Sequence, residues 1–248
     1  MNNKFTHGSF FTGIGVFDYA AQLQGFDIVF GCDNDPFAKC HFTERHPLSI
    51  FYDDIKTVQD VPTVDLLTFG FPCQDASIAA PVKKKNPLNE SRTGLFWDAI
   101  RLVRQSRPKF VIAENVARLR NAGLEECLRA FATSGYHVGY AIIPACTFGA
   151  IHERERIFII AANADSIGRQ AVLCVLNDTL TTKEGLRLGD ELYRVLCTEM
   201  ESEAYDFDVR TDYGYAYWLY EGLRAKALGN SIFFPIAEML VKNVKIHL

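Results

Sequence analysis

The sequence contains no run of about 18 consecutive apolar residues, which leaves no candidate for a membrane-spanning helix. Its first residues, Met1-Asn2-Asn3-Lys4, carry none of the basic-then-apolar pattern of a secretory signal, so a cytoplasmic location is expected. Internal repeats and low-complexity tracts are absent too, which excludes solenoid and fibrous architectures. The seven cysteines, Cys32, Cys40, Cys73, Cys127, Cys146, Cys174 and Cys197, are odd in number, and no Cys-x-x-Cys pair occurs. That spacing offers neither a zinc site nor a redox pair, so reduced thiols and no metal are expected. An excess of basic charge is also missing. The net charge is −4, which by itself argues against strong intrinsic binding to a polyanion.

The 248 residues are 48% hydrophobic and 23% charged, enough for one large α/β domain or for one domain with a small insertion. Charge is unevenly spread. From residue 177 to 212 there are ten acidic and four basic residues, net −6, whereas 83 to 156 holds thirteen basic and seven acidic, net +6. The basic middle reads either as a phosphate-facing surface or as solvated helix faces.

Strand patterns alternate with helical ones along the chain. Thr6 to Phe11 reads as a strand running into Thr12-Gly13-Ile14-Gly15, and Val16 to Leu23 as a helix closed by Gly25. Strand, Gly-x-Gly and helix together form the geometry of a nucleotide-type cofactor site, although a lone Gly-x-Gly is also a common turn. The next strand, Asp27 to Cys32, ends at Asp33, where an acidic side chain can grip ribose hydroxyls. Ile50-Phe51-Tyr52 runs into Asp53-Asp54-Ile55, a third strand tip with a carboxylate able to accept from an adenine amino group. Asp35 before Pro36 reads as a helix cap.

Val64 to Phe69 is a buried strand stopped by Gly70-Phe71-Pro72, with Cys73-Gln74 just beyond its carboxyl end. A thiol there is either a small buried hydrophobe or a nucleophile. Residues 74 to 91 read as a loop able to close over substrate. A helix from Gly94 to Val103, a strand Phe110 to Ala113 delivering Glu114-Asn115-Val116, a helix 124–134 and a strand 136–144 follow. Thr147 to Arg156 then enters the strand Ile157 to Ala162, with Arg154 and Arg156 at period two and so on one face. Beyond Asn163 the patterns weaken, apart from an amphipathic stretch 185–200, until Gly229-Asn230-Ser231 and a closing helix through Val244.

These stretches resemble, in order and spacing, the motifs of the DNA (cytosine-5) methyltransferases. Phe11-Thr12-Gly13-Ile14-Gly15 is similar to the cofactor loop, Gly70-Phe71-Pro72-Cys73-Gln74 to the nucleophile loop, and Glu114-Asn115-Val116 to the segment bearing the catalytic acid. His152-Glu153-Arg154-Glu155-Arg156 resembles the Gln-x-Arg-x-Arg motif, and Gly229-Asn230-Ser231 the C-terminal motif. The resemblance covers residues 5–162 and 222–244. It implies a doubly wound, mostly parallel sheet of the Rossmann-like class I methyltransferase kind, formed by 1–162 plus 223–248.

The reaction it implies is transfer of a methyl group from S-adenosylmethionine to C5 of a flipped-out cytosine in double-stranded DNA, with Cys73 adding to C6 and Glu114 assisting at N3. Arg154 and Arg156 would hold the base and a neighbouring phosphate, with Gln74 and Ser77 also at the substrate. The cofactor would contact Phe11, Gly13 and Gly15 around its methionine part, Asp33 at the ribose hydroxyls, and Asp54 and Ile55 at the adenine, with Thr12, Ile14 and Asn34 also in the cofactor site. Pro72, Leu95, Asn230 and Ser231 would complete that pocket. Restriction-modification or phage use fits so compact a chain.

The chain departs from the family pattern at Ser9 (often Asp), Val16 (often Gly), Asn34 (often bulky) and His152 (often Gln). Residues 163–222 stand where the family's target-recognition domain, commonly a hundred residues or more, is found. This stretch is short and acidic, and acidic surface repels phosphate. A reduced recognition region with weak intrinsic DNA affinity, supplemented by a partner chain, is expected. An RNA cytosine-5 methyltransferase and a non-catalytic S-adenosylmethionine-binding subunit are the rival readings; a nicotinamide dehydrogenase gives Cys73 and Glu114 no role.

Overall fold

The computed structural model of the chain describes residues 4–72, 94–121, 123–150, 153–181 and 232–248. In chain order these form β1 (Thr6–Phe10), α1 (Val16–Leu23), β2 (Asp27–Cys32), α2 (Pro36–Arg45), β3 (Ile50–Tyr52), β4 (Leu66–Gly70) and α3 (Leu95–Ser106). Then come β5 (Phe110–Val116), a 3-10 turn (Ala117–Asn121), α4 (Leu124–Thr133), β6 (Tyr136–Pro144), a second 3-10 turn (Ala145–Phe148), β7 (Glu155–Asn163), α5 (Arg169–Thr181) and α6 (Phe234–Ile246).

The strands make one seven-stranded sheet in the order β3-β2-β1-β4-β5-β7-β6. The first five in that order pair in parallel, and β7 is antiparallel to both β5 and β6. Chain order therefore reverses direction between β1 and β4. At such a switch point two adjacent strand ends send their loops to opposite sides and open a crevice.

Both faces of the sheet are covered, so its central strands are apolar at nearly every position instead of alternating with polar residues. Side chains at successive positions go to opposite faces. Val111, Ala113, Ile159 and Ala161 join one core with Phe69, Phe96, Leu102 and Phe131, while Phe110, Ile112, Phe158 and Ile160 join the other with Ala20, Ala21, Leu240 and Val244. Each fully buried Val, Leu, Ile or Phe side chain among these contributes about 1.5–3 kcal/mol relative to exposure. Asp35 caps α2 as its sequence suggests, accepting from the Phe37 N–H at 2.9 Å with Pro36 in the first turn.

α5 is the element that weak patterning beyond Asn163 leaves out. Its Val172, Val175 and Leu176 are buried against the sheet and α6, and Asn243 of α6 donates to its Thr179 Oγ1 at 3.0 Å. The buried positions follow helical spacing. Leu173 and Leu180 on the outer side are 46% and 40% exposed, and these outward apolar residues blur the pattern. No helix among the described residues is long and apolar enough to cross a membrane.

Candidate active site

The loop after β1 turns sharply at three consecutive odd positions. Phe11, Gly13 and Gly15 adopt φ of 52°, 54° and 75°, in the left-handed region that costs a non-glycine residue strain and glycine little. Thr12 N–H donates to Cys32 O at 3.2 Å and Gly15 N–H to Thr12 O at 2.9 Å, which pins the loop to the end of β2 and to the start of α1. Gly13 is exposed, with no atom within 4 Å of where a Cβ would stand, so the loop offers bare backbone to a ligand.

Asp33 lies beside it, half-buried. Its Oδ2 accepts from Gly13 N–H at 2.8 Å and its Oδ1 from Asp35 N–H at 2.9 Å, while Asp33 N–H donates to Tyr52 O at 3.1 Å. Burial raises its carboxyl above the usual range, and the backbone donors oppose that shift. Asn34 is exposed next to it. At the third strand tip Asp54 Oδ1 accepts from Lys56 N–H at 3.0 Å, and Ile55 is buried with its carbonyl taking Arg101 Nη2 at 3.1 Å. The sheet order places β3, β2 and β1 side by side, so the three tips form one edge.

Across the switch point, β4 ends at Gly70, opposite Glu114 of β5, and β5 runs on to Val116 in its pairing with β7, past the strand end expected at Ala113. A Cβ on Gly70 would lie 2.9 Å from Glu114 Oε2, so a larger residue there would shift the carboxyl from its present place. Glu114 is 8% exposed, and Arg156 Nε stands 2.8 Å from its Oε1. Burial pushes the Glu114 carboxyl up to about 7, against the pull of Arg156 and Arg154. A carboxyl poised there can hold or release a proton near neutral pH. Arg154 and Arg156 are half-buried while Glu153 and Glu155 are exposed, so the period-two reading of this segment holds into β7.

Asn115 is a side chain beside the site to which the sequence assigns no role, though it sits within the Glu114-Asn115-Val116 stretch. Its Nδ2 donates to Phe71 O at 3.0 Å and its Oδ1 accepts from Val116 N–H at 2.8 Å. Phe71 is buried, its ring 5.0 Å from that of Phe96. The chain leaving β4 toward Pro72 and Cys73 is thus tied to β5 before it departs. Pro72 and Leu95, at the start of α3, are both partly buried.

Phe11 through Gly15, Asp33, Asn34, Asp54, Ile55, Pro72 and Leu95 are placed along the C-terminal edge of the sheet, and Glu114, Arg154 and Arg156 sit together at the β5–β7 end of it. Cys73, Gln74, Ser77, His152, Asn230 and Ser231 lie outside the described residues. Of the departures from the resemblance, Val16 is absorbed into the core and Ser9 donates to the buried Asp18. Among the described residues no group of three or more His, Cys, Asp and Glu side chains is arranged to hold a metal ion.

Comparison with known proteins bears on the same elements. The chain is 30% identical over 193 residues to the type II methyltransferase M.Bsp6I of Bacillus sp. (strain RFL6), a match over 74% of this chain and 61% of that protein. It spans 46% of the type II methyltransferase M.FnuDI of Fusobacterium nucleatum, at 27% identity over 63% of this chain, so less than two thirds of either relative is covered. The fold is shared with the Entamoeba histolytica methyltransferase EhMeth, at TM-score 0.63 and 12% identity over 98% of each chain. Residues 5–219 match the family described as C-5 cytosine-specific DNA methylase. On that match, most of its length, the chain belongs to the C-5 cytosine-specific DNA methylase family.

Proposed function

We propose that the chain transfers a methyl group to C5 of a cytosine flipped out of double-stranded DNA, with Cys73 as nucleophile. The observation that carries this reading is Glu114, buried, raised to about 7 and held by Arg156 in β5, opposite the end of β4, the strand that leads to Cys73. S-adenosylmethionine would supply the electrophilic methyl group. The bare backbone at Gly13 and the carboxylates of Asp33 and Asp54 at adjacent strand tips fit its methionine, ribose and adenine parts, with Phe11, Thr12, Ile14, Gly15, Asn34, Ile55, Pro72, Leu95, Asn230 and Ser231 around them.

The residues divide the work as follows. The Cys73 thiolate adds to C6, the displaced π electrons reach N3, and Glu114 gives N3 its proton. C5 then takes the methyl group, N3 returns the proton to Glu114, a base removes the C5 hydrogen, and cleavage of the C6–S bond frees Cys73. Arg154 and Arg156 orient the base and a flanking phosphate, and Arg156 also fixes the Glu114 carboxyl. C6 is closed off inside a stacked duplex, so the cytosine must leave it, at a cost of a few kcal/mol.

Target recognition is assigned to 163–222, and within it to the part after Thr181, because α5 is already committed to the core. That short, acidic remainder supports weak intrinsic DNA affinity and help from a partner chain, in a cytoplasmic modification system. Tritium transfer from labelled methyl donor to duplex DNA, single-stranded DNA and tRNA tests the substrate; transfer to tRNA alone would overturn the DNA reading. A covalent adduct with 5-fluorocytosine DNA is expected from wild type and absent from Cys73→Ala; no adduct at all would favour a non-catalytic subunit.

A further inference from the structure

Beneath the loop after β1 runs a buried polar chain that no catalytic step uses. His7 and Ser9 of β1, Thr68 of β4 and Asp18 of α1 are each at most 2% exposed. His7 Nε2 and Thr68 Oγ1 lie 2.9 Å apart, Ser9 Oγ donates to Asp18 Oδ1 at 2.8 Å, and His7 Nδ1 is 3.5 Å from that same oxygen. His7 Nδ1 and Asp18 Oδ2 have no hydrogen-bond partner among the described residues. Buried polar atoms left this way are costly, and an apolar pair of similar size would avoid the cost. Burial pushes the Asp18 carboxyl up to about 7 and the His7 imidazole down to about 3, which reduces the charge carried inside the sheet.

The location gives the arrangement a use. Asp18 is in the first turn of α1, directly under Gly15, where a Cβ would meet Asp18 Oδ2 at 3.4 Å. Gly15 precedes the helix at φ 75°, no side chain caps that helix end, and its N–H closes the turn onto Thr12 O. His7, 3.5 Å from the Asp18 carboxyl and paired with Thr68, stands between it and β4, the strand that ends at Gly70 and leads to Cys73. One carboxyl thus lies under the helix end and the cofactor loop and is bonded to β1 through Ser9.

We propose that Asp18 is a positioning residue for the methyl donor: with Ser9 it fixes Gly15 and the first turn of α1 against β1, holding the loop Phe11–Gly15 in its ligand-binding shape. Asp18 touches neither cofactor nor cytosine. The inference rests on the cofactor reading given above.

The test is equilibrium binding of S-adenosylhomocysteine to the full chain, read beside thermal melting and the KM and kcat for the methyl donor. Asp18→Leu replaces the carboxyl by an apolar side chain of similar size. The exchange Ser9→Asp with Asp18→Ser returns a carboxyl to the same 2.8 Å contact from the strand side. Asp18→Leu is expected to weaken binding and raise KM about tenfold or more, with kcat at saturating donor within about threefold. Its melting temperature should not fall, and the exchange should recover most of the affinity. Unchanged affinity in Asp18→Leu overturns the proposal, as does a loss confined to kcat or a loss the exchange variant shares in full. If Asp18→Leu does not fold, Asp18→Asn, which keeps an oxygen for Ser9, is held to the same comparison. Wild type that binds no S-adenosylhomocysteine overturns the cofactor assignment itself, whereas wild-type binding with an unaffected variant overturns only the role of Asp18.

Discussion

Arg156 reaches Glu114 across the antiparallel β5–β7 pair, Nε to Oε1 at 2.8 Å, although Arg156 stands opposite Val116 and not opposite Glu114 in the register. The guanidinium therefore spans two residues along β5 to hold a carboxyl that is otherwise shut away from water. This pair sets both the orientation of the acid and how far burial can raise it.

Glu114→Gln should lower kcat for methyl transfer by about a hundredfold or more, since a positioned proton donor is removed. The carboxyl binds its proton more tightly folded than unfolded, rising from 4.5 to about 7, so the stability this contributes is present below pH 4.5 and lost as pH rises through about 7. The advantage of wild type over Glu114→Gln in chemical denaturation should shrink from pH 5 to pH 8 by about 1–3 kcal/mol. Denaturant titrations of both proteins at the two pH values check the sign.

Gly70→Ala places a methyl group 2.9 Å from Glu114 Oε2. The carboxyl has to shift from its present place beside Arg156, so activity should fall and stability drop by about 1–3 kcal/mol. Combining it with Glu114→Ala should relieve most of the stability loss, and a double-mutant cycle on melting data measures that coupling.

Asn115→Ala removes the donor to Phe71 O and strands a buried carbonyl, at about 1–3 kcal/mol. The chain leaving β4 loses its tie to β5, so the rate of adduct formation with 5-fluorocytosine DNA should fall more than affinity for the methyl donor does. Rapid-quench adduct kinetics beside cofactor titration separates the two.

Asp33→Ala is expected to raise KM for the methyl donor about tenfold to a hundredfold with a smaller change in kcat, because a binding group is lost and not a reacting one. Initial-rate kinetics over donor concentration reads the split. Equal losses in both parameters would assign Asp33 to the chemistry instead.

Much of this was legible along the chain because the determining forces are local. Short apolar runs closed by Gly, Pro or Asp specify strands, Gly-x-Gly marks the turn after β1, Asp35-Pro36 begins α2, and Asp33 stands at a strand tip that its own sequence delimits, whereas β5 runs past Ala113 through Glu114 to Val116 because β7 pairs with it there. α5 was not legible, because Leu173 and Leu180 face outward and its inward residues have meaning only against β6, β7 and α6.

The amino-acid sequence by itself determined the order of strands and helices and which short-range residues each strand end carries, since backbone periodicity and turn chemistry act over a few residues. Tertiary structure decided what those ends do to one another. Gly70 and Glu114 are 44 residues apart, His7 and Thr68 are 61, and Arg156 is 42 from Glu114. A glycine emptied for a carboxyl, a carboxyl raised by burial and a hydroxyl answering an imidazole across strands are consequences of desolvation and close packing, which exist only once the sheet has formed.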